Sequence, residues 1–176
     1  MTKEIKKNNF GFTLIEILTS AFIIAIIGSL VIASYSGGQR TYKVARCVQQ
    51  FAADARRMQT LALSGNLEGL PATGFGLYVV SATQYVLFYN TNASTEYIAG
   101  SSVITETVNL PADVSFYTAA EDPVDPDVAV SVFFLPPIPT TYVNDCPGLC
   151  AHDFRFKSGP FVRSVKVEQT GLVDIN

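Results

Sequence analysis

Glu16 is the only charged side chain between Lys7 and Arg40, and it closes the stretch Gly11-Phe12-Thr13-Leu14-Ile15-Glu16 that runs on into the apolar residues 17–35. An unpaired carboxylate near the centre of a bilayer costs about 2.5–3.5 kcal/mol, so the chemistry open to this position is pairing with a positive group. One source of that charge is a free amine. Cleavage after Gly11 would leave the α-amino group of Phe12 one helical turn from Glu16, where neighbouring copies of the helix could exchange it. The other is position alone, with Glu16 at the membrane interface and compensated by the positive end of the helix dipole. Cys146 and Cys150 flank the turn dipeptide Pro147-Gly148, which could bring the two sulfurs together as a disulfide in an oxidising compartment. Asp145, His152 and Asp153 lie close enough in sequence to offer a metal site instead, although the spacing matches no standard zinc knuckle. The third cysteine, Cys47, falls on an apolar helix face, where a thiol behaves as a small buried hydrophobe.

The elements that must position these residues follow from hydrophobic periodicity. At 1.5 Å per residue the run beginning at Phe12 is long enough to cross the roughly 30 Å hydrocarbon core of a bilayer. Lys3, Lys6 and Lys7 stand in front of it, and the positive-inside rule holds such a leader in the cytoplasm while the chain after Arg40 is exported. Ser34-Tyr35-Ser36-Gly37-Gly38 marks an expected soft point, because glycine is a poor helix former. Helical spacing then resumes, with Val44, Cys47, Val48, Phe51, Ala55, Met58 and Ala62 on one face and Lys43, Arg46, Gln50, Arg57 and Gln59 mostly elsewhere. From Gly74 the period changes to that of strands. A hairpin is expected from 75–80 and 84–89, followed by strands at 103–109, 114–117, 128–134, 153–157, 162–168 and 172–175. Pro123, Pro126, Pro136, Pro137 and Pro139 confine the intervening region to loops or sheet edges.

Lys-Lys-Asn-Asn-Phe-Gly-Phe-Thr-Leu-Ile-Glu at 6–16 resembles the class III signal of type IV pilins and type II secretion pseudopilins. That resemblance implies cleavage after Gly11 by a prepilin peptidase, N-methylation of Phe12, and use of Glu16 to pair with a neighbouring subunit's amine during filament assembly. The order of elements, with Leu110-Pro111-Ala112-Asp113-Val114 midway and Glu168-Gln169-Thr170-Gly171-Leu172-Val173 near the end, is similar to the minor pseudopilins of the H type. It implies an α+β fold in which a long N-terminal helix, transmembrane in its first half and amphipathic in its second, packs on a C-terminal antiparallel β domain of two small sheets. The expected organisation is a cleaved basic leader at 1–11, a transmembrane and assembly helix at 12–35, an amphipathic helix at 36–65 and an exported β domain at 74–176. The implied partners are the prepilin peptidase, other pilin or pseudopilin subunits and the inner membrane. The exported domain would be periplasmic or extracellular and part of a filament after assembly.

Charge narrows the remaining classes. The chain holds 12 Lys and Arg against 15 Asp and Glu, and removing Lys3, Lys6, Lys7 and Glu4 with the leader leaves 9 against 14. Such a balance argues against a broad nucleic-acid-binding surface. A related competence pilin binds DNA through arginines near its C-terminal glycine hairpin, but here Gly171 is followed by Leu172-Val173-Asp174. Arg155, Lys157, Arg163 and Lys166 nevertheless cluster late in the chain, which keeps a DNA- or substrate-binding competence or tip pilin as the alternative to a structural subunit. The acidic stretch 121–127 could offer oxygens to calcium, though its prolines suit a solvated linker and its spacing is not an EF-hand. Asn92-Ala93-Ser94 fits a glycosylation sequon. With one histidine, no nucleophile elbow and no phosphate loop, the sequence suggests neither enzyme nor resident cofactor, and an enzyme behind an ordinary signal peptide is further disfavoured by Glu16 inside the apolar region.

Overall fold

The computed structural model describes residues 12–64, 72–117, 130–136, 140–143, 152–168 and 170–176, the side chains of 31–37 excepted. The chain divides into two compact units, Met1–Gln39 and Arg40–Asn176. One helix, α1 (Leu14–Ser64), contributes to both. Its assignment is continuous through 34–38, where a soft point is expected. A glycine costs about 1 kcal/mol relative to alanine inside a helix, which is too little to interrupt hydrogen bonding that is made on both sides.

In the second unit the amphipathic reading holds residue by residue. Val44, Cys47, Val48, Phe51, Ala55, Met58 and Ala62 are all buried, and Ala52 joins them. The strands are β1 (Gly74–Ser81), β2 (Gln84–Asn90), β3 (Val103–Asn109), β4 (Ser115–Tyr117), β5 (Ser131–Leu135), β6 (Thr140–Val143), β7 (His152–Ser158), β8 (Phe161–Val167) and β9 (Val173–Ile175). They form a five-stranded sheet in the order β3-β2-β1-β5-β6 and a four-stranded sheet in the order β4-β7-β8-β9. Every pairing is antiparallel. The α+β class and the two sheets thus match expectation, while β6 is a strand that propensity did not indicate. It follows Pro136, Pro137 and Pro139 and lies at a sheet edge, the position in which neighbouring prolines leave pairing intact.

Alternation turns one face of each sheet toward the helix. Phe75, Leu77, Val79, Tyr85, Leu87, Val132 and Phe134 come from one sheet and Phe116, Phe154, Phe156, Val165 and Val167 from the other, and all join the helix residues in a single core. Phe51 sits at its centre. Its ring lies 5.1 Å from Tyr85, 5.9 Å from Phe116, 4.7 Å from Phe154 and 5.6 Å from Phe156, so it touches aromatics of both sheets. The opposite face of the larger sheet carries a second aromatic group. Phe88 and Phe133 are fully buried there, and Tyr97 stacks on Tyr78 at 4.2 Å while meeting Phe88 edge-on at 5.3 Å. The close approach requires glycine in β1, because a β-carbon on Gly76 would lie 2.5 Å from the Val132 carbonyl oxygen and 2.7 Å from the Phe88 ring.

Polar ties fix the helix to both sheets. Arg56 donates to the Val173 carbonyl at 2.9 Å, and Arg57 pairs with Glu106 of β3 at 3.0 Å. The Tyr85 hydroxyl donates to the Asp54 carboxylate at 2.6 Å. Lys43 pairs with Asp113 at 3.2 Å, holding a turn in which the Val114 amide donates to the Pro111 carbonyl and Asp113 adopts φ 78°.

Candidate functional site

The described part of the first unit opens on a helix start that hydrophobic periodicity did not reveal. Thr13 is the N-cap. Its carbonyl accepts from the amides of Glu16 and Ile17 at 3.1 and 3.3 Å, and its hydroxyl oxygen accepts from the Glu16 amide at 3.4 Å. Thr13-Leu14-Ile15-Glu16 has the spacing of a capping box, with Glu16 at the third helical position. The signal that would have revealed it is a threonine three residues before a glutamate at the head of an apolar run. Glu16 therefore lies in the first helical turn, where the dipole favours an anion. Phe12, one turn earlier, shares a shallow groove with Glu16, Ile17, Ser20, Ala21 and Ile24. Among the described residues the Glu16 carboxylate has no ion-pair partner.

Beyond this turn, as far as Leu30, the helix carries large apolar side chains on every side. Leu14, Ile15, Ile17, Leu18, Phe22, Ile23, Ile24, Ile26, Ile27 and Leu30 are all exposed. Its hydroxyls are satisfied within the helix. Thr19 and Ser20 donate to the Glu16 carbonyl at 3.1 and 2.7 Å, and Ser29 donates to the Ile26 carbonyl at 2.8 Å. Such pairing to the preceding turn is the local bond open to a serine or threonine inside a helix. Among the described residues no helix is long and apolar enough to cross a membrane. The last part of the expected span, 31–35, falls where side chains lie outside the described residues, as does Gly11.

The other candidates divide. Cys146 and Cys150 lie outside the described residues, as do Asp145 and the acidic stretch 121–127. Cys47 is buried and unbridged, and burial pushes its thiol above the usual range. His152 opens β7, meets Phe154 at 4.8 Å, and is held below the usual histidine range by burial, against the opposing pull of Asp153. Because His152 and Asp153 are consecutive in a strand they project from opposite faces. Among the described residues no group of three or more His, Cys, Asp or Glu could hold a metal ion.

The late basic residues do not form one open patch. On β7 and β8, Phe154 and Phe156 alternate with Arg155 and Lys157, and Phe156 is opposite Arg163, so Arg163 belongs to the face opposite that of Arg155, Lys157 and Lys166. On that outer face Lys166 pairs with Glu168 at 2.8 Å, and Glu168, Asp153 and Asp174 together raise its pKa. The Lys157 ammonium lies over the Tyr117 ring, 4.7 Å from its centre. Carboxylates thus interleave with the cations where a nucleic-acid surface would present cations alone.

Comparison with known proteins bears on the N-terminal segment. Residues 6–32 match the family model for the prokaryotic N-terminal methylation motif, the signal of type IV pilins and pseudopilins. That match contains Gly11, Phe12, Thr13 and Glu16 and ends before the second unit. No curated protein and no solved structure matches the chain. The motif supports a pilin-like or pseudopilin-like exported protein.

Proposed function

We propose that this chain is a minor pilin or pseudopilin, a structural subunit without catalytic activity that is inserted in the inner membrane, cleaved after Gly11 by a prepilin peptidase, methylated at Phe12 and assembled into a filament through its N-terminal helix. The observation that carries this reading is the methylation motif at 6–32 coinciding with a helix that carries large apolar side chains on every side as far as Leu30 and bears one carboxylate in its first turn. Ten large apolar side chains exposed between Leu14 and Leu30 need a nonaqueous environment, which lipid supplies before assembly and neighbouring helices supply after it. Glu16 then has two successive partners. In the processed monomer the amine of Phe12 is one turn away, and in the filament the amine of an adjacent subunit takes its place.

Two measurements test this. Intact mass and N-terminal sequencing of the membrane-extracted protein should find methylated Phe12 at the start, and a start at Ser34, after the loosely signal-peptidase-like Val31-Ile32-Ala33, would remove the assembly helix and sink the reading. Glu16→Leu should insert and be cleaved normally yet co-purify poorly with sheared filaments, with Glu16→Asp intermediate because it keeps the charge and loses reach. Equal incorporation of Glu16→Leu would return Glu16 to an interfacial residue tolerated by the helix dipole.

A further inference from the structure

The β7–β8 hairpin tip is a place where several independent features meet. Gly159 turns the chain with φ 58°, and a β-carbon there would lie 2.9 Å from a guanidinium nitrogen of Arg40. Arg40 is the first residue of the second unit, so this tip belongs to the end of the unit from which the apolar helix departs. Around the turn, Gly159, Pro160, Val162 and Arg163 are exposed and Phe161 is half-buried. Val162, the second residue of β8, pairs with Lys157 of β7 beyond the reach of β9 and leaves 51% of its surface accessible. An apolar tip ringed by arginine and lysine is the composition that enters a membrane interface, where the apolar part meets the acyl boundary and the cations meet phosphates.

We propose that this tip, Pro160, Phe161 and Val162 flanked by Arg40 and Arg163, is a lipid-binding surface that rests on the anionic headgroups of the bilayer holding the helix. The inference depends on the membrane insertion proposed above. Arg40 follows the last residue of the apolar run, Tyr35, by five positions, so chain connectivity alone keeps it within about 17 Å of the end of that run. The tip touches Arg40, so the same tether keeps it near the membrane that would hold the run. Contact with lipid would hold the exported unit against the membrane before assembly and release it as the helix is withdrawn into a filament.

The chain has no tryptophan, so one placed at Val162 reports the tip alone. The control is Leu172, which is 57% exposed in the β8–β9 connection at the far end of β8, about 20 Å away along a seven-residue strand. Full-length Val162→Trp and Leu172→Trp are reconstituted in vesicles of phosphatidylcholine with or without phosphatidylglycerol, using acyl chains brominated near the headgroup. Insertion is checked by flotation and folding by an unreactive Cys47 thiol. Val162→Trp should show blue-shifted, bromine-quenched emission that strengthens with phosphatidylglycerol, and Leu172→Trp should show neither. In the anionic vesicles, adding Arg40→Gln and Arg163→Gln should lower the tip's bound-to-free ratio about fivefold each, the factor equivalent to about 1 kcal/mol per basic residue at such a surface. Equal quenching at the two positions in floated, folded protein, or quenching indifferent to lipid charge, overturns the lipid surface and leaves the membrane insertion standing. A shift that needs added pilin subunits instead of lipid overturns it in favour of a subunit contact. Failure to float overturns both.

Discussion

Phe51→Ala should release the helix from both sheets at once. The side chain is fully buried and meets Tyr85, Phe116, Phe154 and Phe156 within 5.9 Å. Truncating a buried phenylalanine costs about 3–5 kcal/mol through lost transfer energy and the cavity left behind. The four ring contacts are not counted again, because aromatic pair energies of about 0.5–1.5 kcal/mol overlap with that cost. Since 1.4 kcal/mol is a factor of ten, the open population of the second unit should rise by roughly 10²–10⁴. Cys47 reports it. The thiol lies one helical turn before Phe51, is buried, and reacts only when the unit opens. The assay is thiol labelling of the full-length protein in detergent against time, with the labelled cysteine identified by peptide mass. Phe51→Leu should fall between wild type and alanine, as it refills most of the volume without the ring edges. A Phe51→Ala labelling rate within about tenfold of wild type would refute the reasoning, because it would mean that the helix is held by its flanking contacts and not by this ring.

Other expectations follow from single contacts. Gly76→Ala should lower stability by about 1–3 kcal/mol through overpacking, since the new methyl meets the Val132 carbonyl at 2.5 Å and that backbone is held in a ladder; a thermal midpoint unchanged from wild type would contradict it. Asp54 titrates above its ordinary value of 3.8, first because burial disfavours the charge and despite the Tyr85 hydrogen bond that lowers it. A carboxyl whose folded pKa is raised binds more protons folded than unfolded, so its cost is full above the folded pKa and is relieved as pH falls through it toward the unfolded value. Asp54→Asn should therefore gain relative to wild type at neutral pH and lose that advantage near pH 3.8, which urea midpoints at the two pH values would show; an advantage constant with pH would rule this out. Cys146 and Cys150 should be bridged after export, leaving Cys47 as the one titratable thiol of three in unreduced, denatured protein; three reactive thiols would exclude the bridge.

The sequence by itself determined what local pattern can determine. The methylation motif at 6–32, with Gly11, Phe12 and Glu16, is legible in residue types and spacing, because it is one continuous stretch whose pattern involves no residue distant in sequence. The helix stripe from Val44 to Ala62 and most strands were legible for a similar reason, since a buried face imposes its period on the chain. Only the tertiary structure decided that Thr140–Val143 pairs as an edge strand, because its neighbouring prolines look the same before a loop and before an edge. It also decided that Gly74 and Gly76 make room for Phe133 and Phe88, contacts between residues far apart in sequence. The late cations Arg155, Lys157, Arg163 and Lys166 form a cluster in one dimension. In three, strand alternation turns Arg163 away from the others and sets Asp153, Glu168 and Asp174 among them, since which face a charge occupies depends on register and which charges neighbour it depends on pairing.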